Sequence, residues 1–369
     1  MPKAGVDRDA FVARVDRRRS WARYAIRARR IVRSDTRSYQ AALYDATFGS
    51  DAEAIAYQYA RRNDHLPDLD APVWLNEKIR WQFLNHPNPL MSYAADKVAV
   101  RRYLEFKGAR IAAPRLIATG TAPEELADVD LPETFVLKSS FGSGQNHIET
   151  AGKHTQRAEL IAKVRHWMGY DQWRQTGELH YRDVPKRWLV EEYLSPQQQM
   201  LEYKLTCIMG EPVFIAVITE RGVDGRPGLE GIRHALFDLN WRRTPFSVRG
   251  VKDDPRDVPP PPGLDLLIDE ARRLSRDFMH VRVDFLRCDD SYAFSELTFA
   301  SMAARVPFDP PIVNEQLGHM MRLEHAPAYL ELGRSTVSVL ELGGALAPSV
   351  PLAPAPLVPA HAEAVRASA

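Results

Sequence analysis

The chain has 369 residues, 45% of apolar type, with 49 basic and 48 acidic side chains and a formal charge of +1. That length has room for about two to three compact units, and the near-zero charge excludes a polyanion binder by composition, so no nucleic-acid partner is expected. No apolar run approaches the ~20 residues that span a bilayer, and the N-terminus has no apolar h-region with a small-residue cleavage site.

Only two cysteines occur, Cys207 and Cys288, each inside a strand-like run and without metal-ligand or C-x-x-C spacing. The expectation is a pair of buried thiols in a reduced compartment, and a soluble, cytoplasmic protein.

In chain order, the first feature is basic. Nine arginines fall between Arg14 and Arg33, with Trp21, Tyr24, Ala25, Ala28, Ile31 and Val32 at helical spacing. This segment reads either as a solvated amphipathic helix packed on the body or as a basic helix on the inner face of a membrane or on an anionic partner. Asp51 to Asn63 predicts a second helix, ended by a proline-containing loop, and Trp74 to Phe83 a third, stopped by His86-Pro-Asn-Pro89. Lys97 to Lys107 is a further helix, closed by Gly108. Phe135-Val-Leu-Lys138 is a short strand that runs into the Gly/Ser loop Ser139 to Asn146. Thr155 is a candidate cap for a helix with Leu160, Val164 and Trp167 on one face.

Strand-like runs follow at Arg187 to Leu194, Tyr203 to Met209, Pro212 to Ile218, Val281 to Leu286 and Tyr292 to Leu297. Gly210 and Asp289-Asp290-Ser291 mark hairpin turns, and Pro259 to Pro262 is a stiff connector before a helix bearing Ile268, Ala271, Leu274 and Phe278. The pattern is α+β, antiparallel strands with interspersed helices, and no internal repeat is present. Prolines at 348, 351, 354, 356 and 359 among alanines predict a disordered tail.

Three places carry chemistry. Lys138 closes a strand beside a loop containing Gly142-Ser143-Gly144. Glycine lets backbone N–H groups approach phosphate oxygens, and the ammonium adds a compact charge. The loop is not G-x-x-x-x-G-K-[ST], and a plain hairpin turn explains Gly142-Ser-Gly144 as well. Next, Arg282 and Asp284 share one strand face by period two, as do Glu296 and Thr298 on the following strand. Pairing the strands would bring Asp284 and Glu296 together as hard oxygen ligands beside a phosphate chain, with Arg282 poised to stabilise a transferring phosphoryl group. An exposed hairpin face with one ion pair is the competing explanation. Last, Glu191-Glu192-Tyr193-Leu194 ends a strand either as a solvated end or as a hinge that binds an adenine amine, with Glu202 and Lys204 nearby.

In this order the motifs resemble the ATP-grasp ligases, and more narrowly the TupA-like ATP-grasp group, named for teichuronopeptide biosynthesis. The resemblance runs over roughly residues 74 to 322, through Leu75-Asn-Glu-Lys-Ile79, Ala95 to Arg101, Phe135 to Lys138, Gly142 to Gly144, Glu191 to Leu194, Tyr203-Lys204, Phe237 to Trp241, Val281 to Asp284 and Glu296 to Phe299. It implies an ATP-grasp fold, two α+β subdomains gripping ATP, with an N-terminal helical extension. The layout would be a basic extension over 1–70, a pre-grasp segment over 71–130, a small subdomain with its lid over 131–205, a metal-bearing subdomain over 206–325 and a tail over 326–369.

By the same resemblance Lys97 and Lys138 would contact ATP phosphates, and Ser140, Gly142, Ser143 and Gly144 would close over them. Glu191 would meet the adenine amine, Glu192 to Leu194 would supply backbone contacts, and Glu202 would reach the ribose. Arg282 would be the catalytic arginine and Lys204 a basic contact to phosphate or substrate, and Asp284, Glu296 and Thr298 would hold Mg²⁺ or Mn²⁺, Thr298 standing where many relatives use Asn. The implied activity is ADP-forming ligation of a small-molecule or saccharide-linked carboxylate to an amine such as an amino acid, through an acyl phosphate.

Two departures bear on the substrates. Ala300-Ser-Met-Ala-Ala304 stands where a Tyr-Pro-Gly-like turn is expected, and Ser139-Ser-Phe141 replaces an Asn-His pair. Arg233 and His234 are substrate-site candidates, with a surface strand as the alternative. A glycosyltransferase, a phosphotransferase and a non-catalytic nucleotide-binding scaffold are the competing function classes. No oligomeric state is read from the sequence.

Overall fold

Helix formation in the first part of the chain follows its apolar spacing and its caps. The computed structural model describes residues 7–28, 36–194, 200–220, 232–289 and 291–342. Helix α1 (Arg8–Ala28) buries Phe11, Val15, Ala22 and Ile26. It packs on α2 (Thr36–Thr47), a helix the sequence pattern did not announce, and on α3 (Asp51–Ala60). Helix α3 starts where the Ser50 hydroxyl accepts the Glu53 N–H, and it stops short of the expected Asn63. The buried Glu77 carboxylate accepts the N–H groups of Val73 and Trp74 at 3.1 and 3.0 Å, and so fixes the start of α4 (Leu75–Asn85). Helix α5 (Pro89–Ala95) is capped by Asn88, and α6 (Val100–Lys107) ends at Gly108 with φ +61°.

The first sheet holds β1 (Leu116–Gly120), β2 (Phe135–Ser139), β3 (Asn146–Glu149) and β4 (Trp188–Glu192), all antiparallel in the order β1-β4-β2-β3. Between β3 and β4 lie α7 (Arg157–Met168) and α8 (Gln172–Thr176). Leu160, Val164 and Trp167 are buried as their spacing predicts. The capping position is Gln156; Thr155 instead donates its N–H to Glu149 at 2.9 Å.

The second sheet holds β5 (Leu201–Ile208), β6 (Glu211–Glu220), β7 (Arg233–Phe237), β9 (Lys252–Asp253), β10 (His280–Cys288) and β11 (Ser291–Thr298), in the order β11-β10-β5-β6-β7-β9. Met209 and Gly210, at φ 52° and 81°, make the left-handed two-residue turn that joins β5 to β6. Helix α9 (Leu264–Ser275) covers this sheet with Leu267, Ala271 and Leu274. A small ribbon pairs β8 (Ser247–Val248) with β12 (Phe308–Asp309). One apolar core, from Leu90 and Tyr103 through Leu137 and Val190 to Val283 and Leu340, runs under both sheets.

Three expectations need correction. The first sheet begins at Leu116 and the second at Leu201, so boundaries at 131 and 206 cut across strand pairing. Residues 326–342 are not tail: after α10 (Ile312–Met320) the chain forms α11 (Ala326–Leu342), which packs on α5 and α6. A Cβ at Gly333 would lie 1.8 Å from Asn88 Oδ1, so glycine sets that helix approach. The expected tail over 343–369, and Arg29 to Arg33, lie outside the described residues. Finally, Cys207 is buried but Cys288, at a hairpin end, is half-exposed. No helix among the described residues is long and apolar enough to cross a membrane.

Candidate functional site

Strand pairing assembles one end of the site. Lys138 leaves β2 where Glu191 sits on the adjacent β4, and their side chains form an ion pair at 2.6 Å. Arg101 of α6 donates to the same carboxylate at 2.6 Å, and its other terminal nitrogen is held by the Pro114 carbonyl. Glu191 is therefore a buried anion shared by two cations, not a solvated strand end.

The Gly/Ser loop is the hairpin between β2 and β3, closed by Ser139 N–H donating to the Gln145 carbonyl at 3.0 Å. Gly144 has φ +73° with no atom within 4 Å of where a Cβ would stand, and it is exposed with Ser143 at the tip. The backbone is thus that of a hairpin turn. Lys97 ties this loop to the second sheet. Its Nζ donates to the Gly142 carbonyl at 2.9 Å and lies 3.8 Å from Glu296.

The other end is built on β10, flanked by β5 and β11. Asp284 pairs with Lys204 on one side and with Glu296 on the other; Arg282 pairs with Thr206 and Thr298. Period two then puts Arg282, Asp284, Lys204, Glu202, Glu296 and Thr298 on one face. Arg282 holds Asp284 with two hydrogen bonds at 2.7 and 2.6 Å, and donates to Thr298 Oγ1 at 3.1 Å and Ser301 Oγ at 3.0 Å. Lys204 meets Asp284 at 2.6 Å and Glu202 at 3.0 Å.

Charge balance follows from this crowding. Burial pushes the Glu296 carboxyl up, but Lys97, Lys204, Arg282 and Lys138 outweigh it and hold the group below its usual range. Burial likewise works against the Arg282 charge, and Asp284, Glu296 and Glu202 reverse that, so its guanidinium stays protonated. Glu296 keeps a side chain about one-third exposed, at 32%, whereas Asp284 is 1% exposed and has both oxygens engaged.

Asp284 and Glu296 are hard oxygen donors of the kind Mg²⁺ or Mn²⁺ takes, and of the two it is Glu296 that has exposed surface to offer one. Among the described residues no group of three or more His, Cys, Asp or Glu converges on a closed metal cage. Of the three expected ligands Asp284 is the least accessible, buried with both oxygens held by Arg282 and Lys204, and the Thr298 hydroxyl already joins Arg282 to Glu296 at 3.1 and 3.3 Å.

Some expected contributors sit elsewhere. The Ser140 hydroxyl is buried and donates to the Pro185 carbonyl at 3.0 Å, so it supports the loop from beneath. Glu192 points outward and accepts the Arg115 N–H at 2.7 Å, while its own N–H goes to the Arg115 carbonyl. Leu194 ends the described segment. Arg233, on β7, pairs with Glu220 at the end of β6, with β5 and β6 between its strand and β10, and His234 is buried beside it. The structure does not bring these two to Arg282.

Sequence reasoning missed Arg101, Ser301, the Asp96–Arg187 pair under the loop, and Arg80. Only Arg101 had a local signal, standing four residues after Lys97 in the same motif. Ser301 belongs to the turn that replaces the expected glycine. There Met302, Ala303 and Ala304 all take left-handed φ values of 50°, 56° and 47°.

A family model described as TupA-like ATPgrasp matches residues 77–322. Among solved structures the chain is similar to D-alanine–D-alanine ligase from Bacillus anthracis complexed with ATP, at 14% identity over 68% of this chain and 69% of that one, with a TM-score of 0.34. It is also similar to phosphoribosylamine–glycine ligase from Thermotoga maritima, at 16% identity over 57% and 48% of the two chains, with a TM-score of 0.35. A third is the ATP-grasp ligase PsnB complexed with a minimal precursor, at 14% identity over 61% and 60%, with a TM-score of 0.31. A comparison with proteins of curated function finds no match.

Proposed function

Since the chain belongs to the TupA-like ATP-grasp family, and is an ADP-forming ligase that works with ATP and Mg²⁺, we propose that it joins a small-molecule or saccharide-linked carboxylate to an amine such as an amino acid. The setting would be cell-surface polysaccharide tailoring or the making of a peptide-like metabolite. What supports this is the gathering around Glu296 of Lys138 from the first sheet, Lys204 and Arg282 from the second, and Lys97 from the turn between α5 and α6.

In this proposal Lys97 and Lys138 bind phosphate oxygens, and Gly142, Ser143 and Gly144 fold over them. Glu191, already fixed by Arg101, orients Lys138 and faces the adenine amine, while Glu202 reaches the ribose. Asp284 and Glu296 would hold Mg²⁺, which when bound neutralises charge on the phosphate chain. Arg282 and Lys204 stand beside the transferring phosphoryl group and offset its charge.

A substrate carboxylate oxygen attacks the γ-phosphorus, and the bond to the ADP oxygen breaks, leaving an acyl phosphate. The amine nitrogen then attacks the acyl carbon; the C–O bond to phosphate breaks, and the nitrogen loses a proton. Catalysis on this account is positioning and charge neutralisation, with the loop keeping water from the acyl phosphate.

The test is ADP release with pools of amino acids and uronic acids, comparing the native chain with Glu296→Ala. Release stimulated by a particular acid–amine pair, and lost in the variant, supports the proposal; mass spectrometry of the product then names the pair. No stimulation by any pool, together with no ATP-induced rise in Tm, sinks it.

A further inference from the structure

We infer that the outward face of α1 is a docking surface for the anionic headgroup layer of a phospholipid bilayer. The inference does not depend on the proposed reaction. Phe11, Val15, Ala22 and Ile26 turn one side of the helix onto the body. A 3.6-residue period then directs Arg14, Arg17, Trp21, Tyr24 and Arg27 to the other side, and all five are exposed.

Trp21 at 68% and Tyr24 at 73% are large aromatic side chains left in water next to one another, at i and i+3. Nothing among the described residues covers them. Aromatic rings of this kind settle at the headgroup level, where one edge is apolar and the other is wet.

The charge on this face has one sign. The helix carries seven arginines and two aspartates, and both acids are already engaged: Asp9 with Arg8, and Asp16 with the Tyr57 hydroxyl on α3. Arg18, on the inward edge, pairs with Glu53. The outward arginines, by contrast, make no ion pair among the described residues and stand ready for lipid phosphates.

A nucleic acid would also meet arginine and aromatic groups. It usually requires a groove that tracks the strand, though, and this surface is a single convex helix on a chain of formal charge +1. An anionic membrane needs only a flat positive face with aromatic anchors.

The experiment is co-sedimentation of the full chain with vesicles of phosphatidylcholine alone or with one-quarter phosphatidylglycerol. Two surface variants are compared, Arg17→Gln/Arg27→Gln and Trp21→Ser/Tyr24→Ser, with Tm confirming that both fold. The expected result is binding to the anionic vesicles only, reversed by high salt. It should weaken about fivefold per arginine removed and at least as strongly for the aromatic pair. Equal binding by both variants, no binding by the native chain, or displacement from vesicles by single-stranded RNA or an acidic polysaccharide overturns the inference.

Discussion

Arg80 of α4 donates from Nη2 to the Ala303 carbonyl and from Nε to the Ala304 carbonyl at 3.0 Å, with no part of its side chain reaching solvent. It thereby clamps three consecutive non-glycine residues in left-handed conformations, each costing about 1–2 kcal/mol. The turn so held carries Ser301, which steadies Arg282. Arg80→Lys keeps the charge but loses the planar fork that spans two carbonyls. Expected is a stability loss of about 3 kcal/mol and a lower kcat with little change in KM for ATP. Ala303→Gly should raise Tm slightly, since glycine relieves the strain at a smaller entropy cost. Thermal denaturation of the two variants checks this: a stable Arg80→Lys, or a destabilised Ala303→Gly, contradicts the clamp.

Glu296 is the carboxylate on which four cations converge. Replacing it with glutamine removes one negative charge from this cluster, in which Lys138, Lys204 and Arg282 keep Glu191, Glu202 and Asp284 as partners, and it removes a hard metal ligand. Nucleotide binding without metal should therefore hold or improve in Glu296→Gln, while the added stabilisation given by Mg²⁺ disappears. Tm measured with ATP in EDTA and with ATP in Mg²⁺ separates the two effects. A variant that keeps its Mg²⁺ increment would place the metal elsewhere.

Arg101 and Lys138 share the Glu191 carboxylate at 2.6 Å each. Arg101→Met should weaken ATP binding several-fold without touching the phosphates, because Glu191 then draws Lys138 more tightly to itself. Lys138→Met should cost ten-fold or more. Groups on one shared partner are not additive, so the double variant should fall short of the product of the two single effects. Full additivity in ATP titrations would show that Glu191 does not couple them.

The legible parts of the site are the ones written at period two. Arg282-x-Asp284 and Glu296-x-Thr298 could be placed face to face because strand alternation and a short hairpin turn are local properties of the text. Lys138 and its loop were readable for the same reason. Arg80 was not: its carbonyl partners lie 223 and 224 residues away, and a buried arginine on an amphipathic helix has no spacing of its own to announce it. Composition misled at the other end, where prolines beyond residue 343 coloured the reading of α11, whose buried Thr336 and Leu340 keep helical spacing. Arg233 and His234 looked available because strand order across a sheet is not contained in any single strand.

His280 begins β10, two residues before Arg282, and it is 3% exposed with Nδ1 3.2 Å from the Phe299 carbonyl. Burial is the main cause that lowers its pKa to about 4, against an ordinary value of 6.5; the Phe299 carbonyl works in the opposite direction and the Arg282 charge adds to the lowering. The folded chain thus keeps the ring neutral where the unfolded chain would protonate it. Between pH 6.5 and about 4 the unfolded state binds more protons, so stability falls as pH falls through that window and levels off below it. The loss from this one group should reach about 3 kcal/mol, at 1.36 kcal/mol per unit. His280→Asn preserves a donor to the carbonyl but cannot titrate there. Its stability should therefore fall less steeply than that of the native chain as pH falls from 6.5 to about 4. Denaturant midpoints at half-unit pH steps measure the difference, and parallel profiles for the two proteins would show that His280 is not held neutral.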